Sequence, residues 1–176
     1  LRAGGVILYP TDTIWGLGCD PENFAAVERI FILKNRPKAK RMLLLSDKVE
    51  TFLPYVEKVG TSALDAIQAA NSPLTIIYDG ARNLATGIAT SIGTVGIRVV
   101  EDAFCKKLIA AFGRPIVSTS ANLSREHFTG TYDNIPSKLI EKVDFVVSWR
   151  QEETLVSKPS RIIRIGIDGE IEEIRT

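Results

Sequence analysis

Short apolar runs alternate along this chain with segments of helical periodicity, and this order restricts the fold more than any other feature. The apolar runs have the length of buried strands, and the periodic segments place apolar residues three or four positions apart. Predicted strands lie at 6–9, 42–45, 74–78, 95–100, 115–118, 145–148, 161–165 and 170–174. Predicted helices lie at 24–34, 64–70, 104–112 and 139–143. The last two strands flank the turn residues Asp168-Gly169, so we predict an α/β fold with a mixed sheet that ends in a hairpin.

The composition is that of one globular domain, which we expect to span residues 1–176. The formal net charge of +1 argues against broad, charge-driven wrapping of nucleic acid. Cys19 and Cys105 are far apart and form no metal-ligand spacing, so a reduced, cytoplasmic protein is the simplest interpretation. No apolar run approaches the length of a membrane span and no signal-peptide pattern opens the chain, so we expect no membrane partner.

A basic stretch, KNRPKAKR at residues 34–41, follows the first predicted helix. It carries Lys34, Arg36, Lys38, Lys40 and Arg41 and no acid. Such a stretch is either a solvated loop or an anion site. Arginine forks grip phosphate or carboxylate and lysines supply mobile charges, so the mixture suits a polyphosphate better than a single carboxylate.

Two hydroxyl-rich segments follow predicted strands. The first, YPTDTIWGLG at residues 9–18, places hydroxyls and a carboxylate where α/β sheets bind ligands. Gly16 and Gly18 would let the backbone approach a ligand closely. The alternative is a Ser/Thr/Asp turn that satisfies its own hydrogen bonds.

The second segment is STSAN, residues 118–122. If the strand continues through it, Ser118 and Ser120 point to one face and Asn122 extends their row. That row suits phosphate oxygens, hydrated Mg²⁺ or an amino acid, although a plain polar strand end has the same composition.

Arg98 interrupts the apolar run VGIRVV. If its side chain is covered, it needs a partner, and a substrate carboxylate would suit it; on an edge strand it would face water. Other motifs are missing. There is no Walker glycine loop, Pro21 replaces the third glycine of a dinucleotide pattern, and no Cys/His cluster indicates zinc. His127, the only histidine, has no nucleophile elbow nearby and is interpreted as a surface residue.

Taken together, the segments resemble the YrdC family of threonylcarbamoyl-adenylate synthases. YPTDT, Lys-x-Arg-Pro, Pro73-Leu74-Thr75, the arginine of VGIRV and STSAN occur in the family order. The resemblance implies a twisted open mixed sheet with flanking helices and a large concave basic surface. It also implies an enzyme that makes threonylcarbamoyl-AMP and pyrophosphate from L-threonine, bicarbonate and ATP. A downstream threonylcarbamoyl transferase would then modify tRNA, and tRNA or double-stranded RNA is a further expected partner.

The same resemblance assigns roles to individual residues. Those expected at the threonine substrate are Thr13, Arg98 and Ser118. Those expected at the nucleotide are Lys34, Arg36, Lys40, Thr94, Ser120, Asn122, Ser160 and Arg175. Lys34, Arg36, Ser120 and Asn122 are the expected catalytic groups. No protein-bound metal and no tightly bound cofactor are expected, because Mg²⁺ would arrive on ATP.

Some positions depart from the family pattern and keep other functions open. Arg161 stands where threonine is usual, Arg41-Met42-Leu43 replaces a common Pro-Leu, and Arg125 replaces glycine. One alternative is a non-catalytic RNA-binding module of the same fold. Another is a relative that acts on a different small carboxylate, or an inactive regulator.

Overall fold

The structure is a computed structural model that describes residues 1–37, 40–124, 126–154, 159–166 and 169–175. Within them, nine strands form one mixed sheet in the order β7-β1-β2-β6-β3-β5-β4-β8-β9. The strands are β1 Ile7–Tyr9, β2 Gly16–Cys19, β3 Leu43–Ser46, β4 Leu74–Tyr78, β5 Val95–Val99, β6 Ile116–Ser120, β7 Phe145–Val146, β8 Arg161–Ile165 and β9 Ile171–Arg175. The helices are α1 Phe24–Leu33, α2 Val49–Phe52, α3 Thr61–Ala69, α4 Ala103–Phe112 and α5 Ser137–Ile140. Short 3₁₀ turns cover Leu53–Tyr55 and Tyr132–Asn134.

The sheet is mixed because its pairings differ in direction. β3–β5, β4–β8 and β1–β7 are parallel, and the other neighbouring pairs are antiparallel. The predicted α/β fold with an open mixed sheet and flanking helices is therefore confirmed. Asp168, in the predicted hairpin turn, lies outside the described residues, but β8 and β9 do pair antiparallel.

Helices α1 and α4 begin and end where their sequences supply caps. The Asn23 side chain accepts a 3.0 Å hydrogen bond from the backbone amide of Ala26, so it caps α1. Asp102 caps α4 through the Cys105 amide at 2.8 Å. Gly113 then ends α4 with a φ of +84°, a left-handed conformation that favours glycine.

Strand β2 was not predicted, because its sequence GLGC lacks the apolar signature of a strand. Gly16 and Gly18 were expected to let the backbone approach a ligand, but residues 16–19 form a strand that pairs with β1 and β6. A Cβ on Gly18 would lie 2.7 Å from Cε1 of Tyr9, so this glycine makes room for a buried ring and not for a ligand. Gly16 lines the cavity described below.

The alternation of side chains along the strands builds two different layers. Leu44, Ile76, Ile97 and Val117 share one face with the apolar stripe of α1. On the other face, Leu45 and Ile116 join the core beneath α4. Further along this second face, the strands present Gly96, Arg98, Ser118 and Ser120 to a cavity. The α4 face is thus part core and part binding surface.

The helices also differ from the prediction, since α2 was not predicted and α3 begins at Thr61 and not at residue 64. α5 begins at Ser137, directly after Pro136, and is shorter than the predicted helix at 139–143. β7 has only two residues. No helix among the described residues is both long enough and apolar enough to cross a bilayer.

Candidate active site

The α4 face of the sheet carries a cavity of about 670 Å³. This volume lies within the range of small-molecule sites, about 300–1,000 Å³. Among the described residues, four arginines and one glutamate line it: Arg36, Arg41, Arg98, Arg175 and Glu126. Serine and threonine hydroxyls fill much of the remaining polar wall. The surplus of positive charge favours anionic ligands.

Arg98 lies deep in this cavity, and its side chain is only 5% exposed. Its Nη2 is 2.8 Å from Oδ1 of Asp12 and donates a 3.2 Å hydrogen bond to the Thr13 hydroxyl. Burial raises the pKa of Asp12, while Arg98 opposes that shift. The Nε–H of Arg98 is buried and has no hydrogen-bond partner among the described residues. The alternative of an edge arginine facing water is therefore wrong, and a donor remains for an anionic ligand.

The PTDT loop that carries Thr13 is held by its own hydroxyls. The Thr11 hydroxyl donates to the Ile14 carbonyl at 2.7 Å and accepts from the Thr13 amide at 3.1 Å. Arg150 donates to the Thr11 carbonyl at 3.2 Å and pairs with Asp102 at the start of α4. Thr13 therefore has a fixed position beside Arg98.

Arg36 and Arg41 form the cationic side of the cavity. The Arg36 guanidinium donates to the Lys40 carbonyl at 2.8 Å and to the Arg41 carbonyl at 2.6 Å. These two bonds fix its orientation and involve two of its five N–H donors. Burial lowers the pKa of Arg36. Arg41 donates to the Gly87 carbonyl at 3.2 Å, which joins the basic stretch to the loop before β5.

The STSAN segment continues β6 as predicted through Ser120. Beyond the strand, the Ala121 amide donates to the Trp15 carbonyl at 2.9 Å. The Ser120 hydroxyl donates to Oδ1 of Asn122 at 2.6 Å, and the side-chain Nδ2 of Asn122 donates to the Glu126 carbonyl at 2.8 Å. Ser118, Ser120 and Asn122 all line the cavity.

Strands β5, β8 and β9 complete the wall. The Thr94 hydroxyl lies 2.7 Å from that of Thr90. The Ser160 hydroxyl lies 2.8 Å from that of Thr75, and the Ser160 carbonyl accepts a 2.7 Å hydrogen bond from Arg175. Burial, followed by the charge of Arg98, lowers the pKa of Arg175. Arg175 and Arg98 are therefore close enough to interact electrostatically.

Most of the predicted site residues meet at this cavity. Those that line it are Thr13, Arg36, Thr94, Arg98, Ser118, Ser120, Asn122, Ser160 and Arg175. Lys34 and Lys40 are not part of its lining. Lys34 is fully buried behind STSAN and Lys40 is exposed. Lys38 and Arg125 lie outside the described residues.

The sequence had not assigned several residues now found at the site. Arg41 was noted as part of the basic stretch and as a departure from the family but had no assigned role, and Thr11 and Asp12 were noted only as part of PTDT. His127 is exposed, as expected of a surface residue, but it also lines the cavity. Arg161 points away and pairs with Glu173 at 3.0 Å, so it gives no reason to expect an altered substrate pocket. Within the described part of the chain, no group of three or more His, Cys, Asp or Glu could hold a metal.

Fold and site together define a class: α/β proteins whose open mixed sheet carries a basic, hydroxyl-rich cavity for small anionic molecules. The chain belongs to the Sua5/YciO/YrdC family, whose model, described as "Telomere recombination", matches residues 1–176. The threonylcarbamoyl-AMP synthase of Pseudoalteromonas translucida is 34% identical over 150 residues, which are 84% of this chain and 80% of that protein.

Two solved structures share the fold. The crystal structure of P. abyssi Sua5 complexed with L-threonine matches 93% of this chain with a TM-score of 0.83 and 25% identity. This chain covers about half of that protein, 48%. E. coli YciO matches 99% of this chain and 84% of its own, with a TM-score of 0.81 and 29% identity.

Proposed function

We propose that this protein is an L-threonylcarbamoyladenylate synthase, an enzyme of the nucleotidyltransferase type. It would convert L-threonine, bicarbonate and ATP, carried with Mg²⁺, into threonylcarbamoyl-AMP and pyrophosphate. The relative named threonylcarbamoyl-AMP synthase and the threonine complex of the P. abyssi protein support the assignment. The observation that carries it is the single cavity, which combines the buried Arg98 with Arg36, Ser120 and Asn122.

Threonine would bind at the Arg98 end of the cavity. The guanidinium can offer its partnerless Nε–H to the substrate carboxylate, while Asp12 keeps the side chain in position. Thr13 and Ser118 would contact the substrate beside it, because both line the same cavity. This arrangement leaves the substrate amine free to react with bicarbonate.

ATP would occupy the part of the cavity lined by Arg36, Ser120 and Asn122. Arg36 would contact the phosphates, and the exposed Lys40 would add positive charge beside it. We assign Thr94, Ser160 and Arg175 to the remainder of the nucleotide, since they line the same cavity directly before β5, directly before β8 and on β9.

The reaction needs positive charge more than it needs an acid or a base. The threonine amine attacks bicarbonate carbon and water leaves, which forms a carbamate. A carbamate oxygen then attacks the α-phosphorus, and the bond from that phosphorus to pyrophosphate breaks. Two unit negative charges 4 Å apart repel by about 4 kcal/mol at an effective dielectric constant near 20. Arginines fixed at the cavity would offset this repulsion and stabilise the leaving pyrophosphate.

The test is pyrophosphate release by the purified protein with ATP, Mg²⁺ and bicarbonate, with and without L-threonine. We expect release to require both L-threonine and bicarbonate, and Arg36→Ala to reduce it strongly. Release that is unchanged without threonine would reject the proposed substrate. Salt-sensitive RNA binding without any turnover would favour the RNA-binding module instead. The downstream transferase, tRNA binding and a cytoplasmic location stay predictions.

A further inference from the structure

Lys34 stands in the basic stretch, but the fold turns it away from the cavity. It follows Val27, Ile30 and Phe31 at helical spacing, so it continues the buried stripe of α1. Its side chain has no exposed surface, although it belongs to one of the residue types that are least often buried. A lysine in this position needs a structural or functional reason.

The ammonium group of Lys34 is bound entirely by residues 120–122. Its Nζ donates to the backbone carbonyls of Ser120 and Asn122, and to Oδ1 of Asn122 at 3.3 Å. An ammonium group has three donors, and these three acceptors account for all of them. The backbone adds a further link, since the Ser124 amide donates to the Lys34 carbonyl at 2.9 Å.

These contacts leave no N–H for a phosphate. Burial, followed by the charges of Arg36 and Lys40, lowers the pKa of Lys34 to about 7. The hydrogen bonds from Nζ to these three oxygens favour the charged form and oppose this shift. They also fix the two side chains that reach the cavity, because the Ser120 hydroxyl in turn donates to the same Oδ1 of Asn122.

We propose that Lys34 is a positioning residue, whose ammonium holds residues 120–122 in the shape that binds the nucleotide and does not itself contact phosphate. This inference rests on the proposed function for the identity of the ligand. It assigns direct phosphate contact to Arg36 and Arg41, which line the cavity. Lys34 acts on the nucleotide only through Ser120 and Asn122.

The first experiment uses the wild-type protein without substrates. Amine acetylation, followed by peptide mass mapping, should leave Lys34 unmodified while the exposed Lys40 reacts. Acetylation of Lys34 at the rate of Lys40 would overturn the proposal. Since the comparison of the two lysines needs no ligand, it remains informative if the protein turns out not to bind ATP.

The second experiment is a double-mutant cycle on ATP affinity with Lys34→Met and Asn122→Ala. We expect Lys34→Met to weaken ATP binding about 10-fold or more, and by a smaller factor when Asn122 is already alanine, because that change removes one of the three acceptors. L-Threonine affinity should change little in either variant. Equal losses in both backgrounds would indicate an independent phosphate contact and contradict the proposal.

Two measurements distinguish a loss of ATP affinity caused by mispositioned residues 120–122 from a loss caused by unfolding of the variant. Lys40→Met is the matched control, because an exposed lysine should have the same effect in both Asn122 backgrounds. Hydrogen–deuterium exchange of free Lys34→Met should increase in the peptide over 118–126 and stay unchanged in α4. Unchanged exchange over 118–126 would refute the positioning role whether or not ATP is the ligand.

Discussion

Replacing Arg98 by methionine should lower both the stability of the fold and the affinity for L-threonine. A second substitution, Asp12→Asn, can separate these two effects. Arg98 is buried and paired with Asp12, so Arg98→Met leaves a covered carboxylate without its cation. Removing one member of a buried pair costs about 3–5 kcal/mol. Asp12 is 12% exposed and its pKa is already raised, so it can take up a proton when Arg98 is removed. We therefore expect a loss of unfolding free energy near the lower end of this range, about 3 kcal/mol. A loss of about 3 kcal/mol lowers Tm by roughly 6–12 °C in a chain of this size.

Threonine affinity should fall for a different reason. Hydrogen bonds to charged groups contribute about 1.5–3 kcal/mol, and the bond from the Arg98 Nε–H would join two charged groups, so we expect the upper end of this range. A loss of about 3 kcal/mol corresponds to an increase in Kd of roughly 100-fold. Adding Asp12→Asn removes the stranded carboxylate, so it should restore most of the Tm but none of the binding.

Thermal unfolding by circular dichroism and calorimetric titration with L-threonine measure the two effects. Arg161→Met is the matched control, because the Arg161–Glu173 pair is about half exposed and should change Tm by no more than a few degrees. The account of the threonine site is refuted if the double variant, Arg98→Met with Asp12→Asn, binds L-threonine within about 3-fold of the wild type.

Three further substitutions test the fold and its electrostatics. Lys34 has a folded-state pKa lowered from 10.5 to about 7, so the unfolded state binds more protons between these values. The unfolding free energy of the wild type, relative to Lys34→Met, should therefore rise as pH increases from 7 to 10.5; a flat difference in urea titrations would contradict the buried ammonium. Gly18→Ala should cost about 1–3 kcal/mol, measured in the same titrations, because its Cβ would lie 2.7 Å from the Tyr9 ring and 3.0 Å from the Val117 carbonyl. Asn23→Ala should cost about 1 kcal/mol through loss of the α1 cap, and an unchanged midpoint would show that the cap does not contribute.

Strands and helices were predictable where their side chains are apolar at a clear period. The runs at β4 and β5 were located to within a residue because they are continuous and bounded by turn residues. β2 was missed because glycines stand where a strand usually has apolar residues. Gly18 is needed there because the strand packs closely over the Tyr9 ring. No local pattern in GLGC records that contact.

The types of residue at the site could be predicted from the sequence, but the directions in which their side chains point could not. The row of Ser118 and Ser120 follows from the period of a strand. The charge of Lys34 suggested a phosphate ligand, whereas its position one turn after Ile30 on the apolar stripe of α1 indicated burial. For Arg98 the sequence left open whether the side chain was covered, because that depends on Asp12, which is distant along the chain.

The most direct test of the account is whether one protein joins all three substrates. The purified protein would be incubated with L-threonine, Mg²⁺, ATP and ¹³C-bicarbonate, and the nucleotides analysed by mass spectrometry. The account predicts an AMP adduct that contains both threonine and the labelled carbon, and its loss in Arg36→Ala. The account would be contradicted if a folded preparation of the protein returned only unreacted ATP and threonine.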